Sequence, residues 1–183
     1  MMAALPDLTD KLTGKAKEIY NEILARRSAQ GAKVRGLYIP LMNHPELIQL
    51  IERLGYYLKF EGKLPRDAYQ FIVLSIARRI GVAFEWVDHV EHARAAGLSD
   101  VLIDAILKSD RGSIPHPYSV ILETTDAVLE FKSIPENLQN QMIELYGVQG
   151  LLEVVTLCGF YQMVGEITEA FDVPLPEGSV NPF

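Results

Sequence analysis

Apolar side chains recur along this chain at intervals of three and four, and nowhere is there a sustained alternation of period two. That spacing predicts helices and no sheet. Residues 7–30 put Leu12, Ala16, Ile19, Ile23 and Leu24 on one face, with Gly31 placed to stop the run. A connector over 31–44 carries Gly36, Leu37, Tyr38 and Pro40. Asn43-His-Pro-Glu46 then supplies a helix start, with an Asn cap, a proline in the first turn and an acid three residues after the cap. Leu47, Leu50, Ile51, Leu54 and Leu58 follow at helical spacing up to Gly62. Leu64-Pro65 opens the next helix, whose stripe of Tyr69, Ile72, Val73, Ile76 and Ala77 runs to Gly81.

A central helix is expected over about 84–96, closed by Gly97, and Ser99 is placed to cap another over 100–108. Residues 109–117 are turn chemistry, and helical spacing resumes over 118–131. Ser133-Ile-Pro-Glu136 matches a capping box for a helix that ends near Gly147. Residues 148–171 form the most apolar helix, apolar nearly all round from Leu151 to Val164. Such a helix has to be buried on every side, and a small domain has little interior for it, so part of it is expected to meet another subunit. An extended tail starts at Val173. The expected architecture is all-α, a single domain over 1–183, with an N-terminal helix and connector over 1–35 and a tail over 172–183.

Composition narrows the partners. The 183 residues are 49% hydrophobic and 22% charged, with a formal net charge of −7. Adjacent arginines occur only as the pairs Arg26-Arg27 and Arg78-Arg79, so no nucleic-acid partner is expected. No apolar run is read as long enough to span a bilayer, and Met1-Met-Ala-Ala-Leu-Pro lacks the charged start and long apolar stretch of a signal peptide. A single cysteine, Cys158, rules out an intramolecular disulfide and any Cys-x-x-Cys chemistry within one chain. The expectation is a cytoplasmic protein with no membrane partner.

The densest chemistry lies between Gly81 and Leu98, where Glu85, Trp86, His89 and His92 fall within eight residues. On a helix, Glu85 and His89 are four apart and His89 and His92 three apart, so all three share a stripe. A carboxylate beside an imidazole is either a proton-shuttling pair or an ion pair on a solvated face. Glu-x-x-x-His-x-x-His raises a metal site, but a catalytic zinc draws a further ligand or supporting acid from elsewhere, and no metal is expected. Trp86 either packs in the core or stacks on a substrate. Arg78 and Arg79 either steer a carboxylate or close the last turn of their helix. His116, between two prolines, reads as an exposed loop histidine, and Cys158, among Val155, Leu157 and Phe160, as a buried inert thiol.

Several stretches in order give the chain a family look. Leu64-Pro65 followed by Ile72-Val-Leu-Ser-Ile-Ala-Arg78, then Phe84-Glu-Trp-Val-Asp-His89 with Ala96-Gly-Leu98, resembles the carboxymuconolactone decarboxylase-like family, in the branch without active-site cysteines. Gly159-Phe-Tyr161 and Ala170-Phe-Asp-Val-Pro-Leu-Pro-Glu-Gly178 are similar to that family's closing helix and tail. The likeness spans most of the chain from about residue 36. It implies a compact helical bundle of the alkylhydroperoxidase D-like type, assembled as a homo-oligomer, trimer or hexamer, with the site on the central helix near a subunit interface.

The same resemblance implies a cofactor-independent carboxy-lyase acting on a small carboxylated lactone or ring acid. His89 would be general acid and base, Glu85 would orient it, and Gln70 would assist. His92, Trp86 and Arg78 would bind substrate, with Tyr38, Tyr56, Tyr57 and Tyr161 as candidate walls. The family's peroxidase branch places two cysteines where this chain has Val82 and Glu85, so thiol peroxidase chemistry is disfavoured. The family's relay acid falls at Gln70, an amide that does not ionise. The alternative is therefore an oligomeric protein that binds a small ligand without turning it over.

Overall fold

The computed structural model describes residues 5–29 and 34–183, and among them every regular element is helical. The order is α1 (Gly14–Ala29), α2 (Tyr38–Leu41), α3 (Pro45–Tyr56), a π-helical turn (Tyr57–Glu61), α4 (Arg66–Ile80), α5 (Ala83–Ala95), α6 (Asp100–Lys108), a 3-10 turn (Arg111–Ser113), α7 (Tyr118–Leu129) and α8 (Glu136–Ala170). The all-α expectation is met. The stop expected at Gly31 lies outside the described residues.

The core is organised on α4, which packs against α5, α6, α7 and α8. Ten consecutive residues of it, from Ala68 to Ala77, are buried, because helices cover it on several sides. Gly81 ends it at φ +76, a left-handed conformation that costs glycine little, and the chain turns at once into α5. A second, smaller cluster joins Ile19 and Ile23 of α1 to Tyr38, Leu41, Met42, Ile48 and Ile51. The two clusters meet at Phe160 of α8.

Local chemistry moved four boundaries. Residues 7–13 are not helical: the Asp7 carboxylate accepts the Thr9 N–H at 2.9 Å and its hydroxyl at 2.7 Å, and this turn competes with a helix. Within the expected connector, α2 forms a single turn. The cap of α3 is His44 rather than Asn43, with Nδ1 accepting from the Leu47 N–H, because the Asn43 amide donates to the carbonyls of Pro6 and Pro40. Ser133 makes no capping bond. Pro135 biases Ile134 away from the helical region, so α8 begins at Glu136. Ser99, in contrast, caps α6 as its position suggested, accepting from Leu102 N–H at 3.2 Å.

The long α8 is interrupted at Gly147 (φ 71, ψ 172), where its two halves meet. By length and composition α8 can cross a membrane, although no such run was read from the sequence. In the fold it packs against α4 and α7, where Leu151, Val154, Leu157 and Cys158 are buried. The expected burial on every side does not occur within one chain. Val148, Leu152 and Val155 stand 57%, 61% and 39% exposed along one stripe.

Candidate functional site

A cavity of about 70 Å³ opens where α5, α8, the π-helical turn and the α1–α2 region converge. Its walls include Tyr38, Lys59, Tyr69, Glu85, His89 and Tyr161. Gly36 allows the connector to close this end. At φ +63 it sits so near Phe84, itself a cavity wall, that a Cβ there would meet the ring at 2.4 Å.

His89 lies at the centre of a buried polar chain and is only 4% exposed. Its Nδ1–H donates to Gln70 Oε1 at 2.8 Å, which leaves Nε2 with a free lone pair. Tyr161 O–H donates to that Nε2 at 3.3 Å, and Tyr69 O–H lies 2.5 Å from the Tyr161 oxygen. Burial pushes His89 well below the usual imidazole range, with the Lys59 charge adding to the effect, so the ring is neutral near pH 7. Glu85 Oε2 is 3.9 Å from His89 Nε2. Burial, helped by Asp88 and opposed by Lys59, raises the Glu85 carboxyl to about 8, so it carries a proton at neutrality. Its Oε1 is buried and has no hydrogen-bond partner among the described residues.

The orienting bond to His89 therefore comes from Gln70 rather than Glu85. Gln70 is completely buried, with its Nε2 unpartnered. An acid beside a base with matched, displaced affinities for the proton is the arrangement that general acid–base chemistry uses. Tyr69 and Tyr161 are both raised by burial and remain phenols.

The other expected substrate contacts are not brought to this cavity. Trp86 follows Glu85 by one residue, a rotation of about 100° on a helix, and packs into the core with Phe183 edge-on at 5.7 Å. Arg78 donates from Nε to the Leu107 carbonyl at 2.6 Å, closing the end of α6, and its guanidinium lies over the Phe183 ring. His92 is half-buried with its ring centre 6.0 Å from that of His89, and it does not line the cavity. Tyr38, Tyr56 and Tyr161 do line it, while Tyr57 does not.

Sequence reading missed Lys59, Asp88, Arg35 and Tyr69. Asp88 pairs with Arg35; burial disfavours its charge, but the cationic groups around it more than offset this and hold it below the usual carboxylate range. Among the described residues no group of three or more His, Cys, Asp or Glu side chains is arranged to hold a metal ion. Cys158 is buried and its thiol is pushed up to about 12, far from reactive thiolate behaviour. No protein-family model, curated protein or solved structure matches this chain.

Proposed function

We propose that this protein is a cofactor-independent lyase of the carboxymuconolactone decarboxylase type, acting on a small carboxylated lactone or ring acid. The observation that carries the reading is a protonated Glu85 facing the unprotonated Nε2 of a neutral His89 inside a cavity. In the reaction the bond between ring carbon and carboxyl breaks, CO2 departs and its electron pair enters the ring as an enolate. Glu85 then donates its proton to that carbon, with His89 Nε2 returning a proton from solvent and Gln70 holding the ring. Lowering the barrier requires only that the donor be placed and protonated beforehand, which burial achieves for Glu85.

The test is release of CO2 from 4-carboxymuconolactone and a panel of related ring acids. Wild type should turn over at least one of them, and His89→Ala should slow it by about 10²–10⁴-fold. Equal inactivity of both across the panel overturns the enzyme and leaves the second reading, a non-catalytic small-ligand binder, which the unionisable Gln70 beside His89 favours. A peroxidase role rests on superfamily likeness alone and is opposed by the buried, protonated Cys158.

We also propose that the chain works in the cytoplasm as a homo-oligomer, trimer or hexamer. The exposed stripe of Val148, Leu152 and Val155 supports assembly, since contiguous apolar surface on a helix gains by being covered. A light-scattering mass of one chain would contradict it.

A further inference from the structure

Lys59 sits in the π-helical turn, where the Gly62 N–H bonds to the Tyr57 carbonyl at 2.8 Å, five residues back. That wider turn shifts the side chains that follow around the axis, and turns of this kind gather at functional sites. Here it sets Lys59 in the cavity wall. Lys59 shares that wall with Glu85, Asp88 and His89, and its charge favours the ionised acids and the neutral imidazole there.

Every acid that lines the cavity is already committed elsewhere. Glu52 is gripped by Arg26 through Nε at 3.1 Å and Nη2 at 2.7 Å. Asp88 is paired with Arg35. Glu85 is neutral by burial. Glu61, in the same turn, binds Arg53 at 2.9 Å. Among the described residues no carboxylate forms an ion pair with Lys59, and the Arg66 guanidinium, bonded to the Lys59 carbonyl, adds positive charge nearby. Burial lowers Lys59 to about 8, which still leaves it charged at neutrality. A partly buried cation with no carboxylate in direct contact is costly, and proteins ordinarily supply one. This chain carries a formal net charge of −7, yet the acids lining this cavity are either held by arginines or neutral.

We propose that Lys59 is the carboxylate anchor of the cavity: its ammonium pairs with a carboxylate of a small organic acid, holding the rest of the molecule toward Glu85 and His89. This rests on reading the cavity as the ligand site, and it assigns to Lys59 the role that the sequence had offered Arg78. In a substrate with two carboxyl groups the anchored one is retained and the other is lost.

The probe is acetate, with acetamide as its neutral isostere, titrated by NMR into the full-length protein. Wild type should bind acetate saturably and acetamide at least about tenfold more weakly, the difference expected from a charge-assisted hydrogen bond. Lys59→Met should reduce acetate affinity to that of acetamide. Acetate binding of equal strength in Lys59→Met, or equal affinity for acetate and acetamide in wild type, overturns the proposal. Should Lys59→Met fail to fold, the wild-type protein carries the test: saturating acetate has to raise the pKa of Lys59, read at its ¹³Cε, and an unmoved titration overturns the proposal. Acetate held through Lys59 without turnover of any ring acid removes the lyase and keeps the anchor. Turnover that survives Lys59→Met unchanged does the reverse.

Discussion

Glu153 and Glu85 are both buried carboxylates on core helices, and they are opposites in their surroundings. Glu153, on α8, takes the Lys63 N–H on both oxygens, at 2.8 and 2.9 Å, and the Leu64 N–H at 3.0 Å. It thereby closes the turn between the π-helical segment and α4, and Gly62 leaves it room, since a Cβ there would lie 2.8 Å from its Oε2. Glu85, on α5, has an oxygen with no partner and lines a cavity. A buried polar group that is fully satisfied holds a fold together; one left unsatisfied costs stability and is kept where a ligand can complete it. The pair separates a structural acid from a chemical one more cleanly than burial alone.

Substitutions break that contrast in a defined order. Glu153→Ala strands two backbone donors and should destabilise the protein by about 4 kcal/mol in urea unfolding, with little effect on acetate binding. A loss below about 1 kcal/mol would mean that the turn closes by itself.

Glu85→Gln should act in the opposite direction and only at high pH. The Glu85 carboxyl is raised from an ordinary 4.5 to about 8, so folding is favoured while it is protonated, and that contribution is lost as pH climbs from about 4.5 through 8. Wild type and Glu85→Gln should therefore match in stability near pH 4. The variant should gain roughly 3 kcal/mol by pH 9 while losing turnover. Parallel stability curves would show that Glu85 is solvated or paired after all.

Lys59→Met removes a cation with no carboxylate in contact and should raise stability at pH 7 by about 2 kcal/mol in the absence of ligand, because Lys59 lowered to about 8 binds its proton less well folded than unfolded. The sign is fixed by the direction of that shift: the Lys59 contribution is full above the unfolded value and is lost as pH falls toward 8. The smallest effect sharpens the same rule at two caps. Ser99→Ala should cost about 1 kcal/mol for its lost bond to Leu102, whereas Ser133→Ala, which breaks no bond, should stay within about 0.5 kcal/mol.

Much of the fold was legible because helices announce themselves locally. The 3.6-residue spacing and the stops at Gly62, Gly81 and Gly97 located α3 to α5, and Ser99 opened α6 where it was expected. Misplaced starts had local competitors: the Asp7 turn, the Asn43 amide drawn to Pro6 and Pro40, and the constraint of Pro135 on its predecessor. The site was legible in part. His89, Glu85 and Gln70 do lie together, since residues four apart on α5 meet an α4 that packs against it. Lys59, Tyr69 and Asp88 carried no signal, because a lone lysine, tyrosine or aspartate in a periodic helix looks like any other.

By itself, then, the sequence determined the helical spacing, most of the breaks and the one-turn separation of Glu85 from His89, all of which are set by neighbours along the chain. Only tertiary structure decided which imidazole nitrogen is left to accept, which carboxylic acid keeps its proton and which cation has no carboxylate in contact. Those properties depend on solvent exclusion by α4 and α8 and on charges such as Lys59 of the π-helical turn and Asp88 of α5, with groups as far as 92 residues apart along the chain brought into contact.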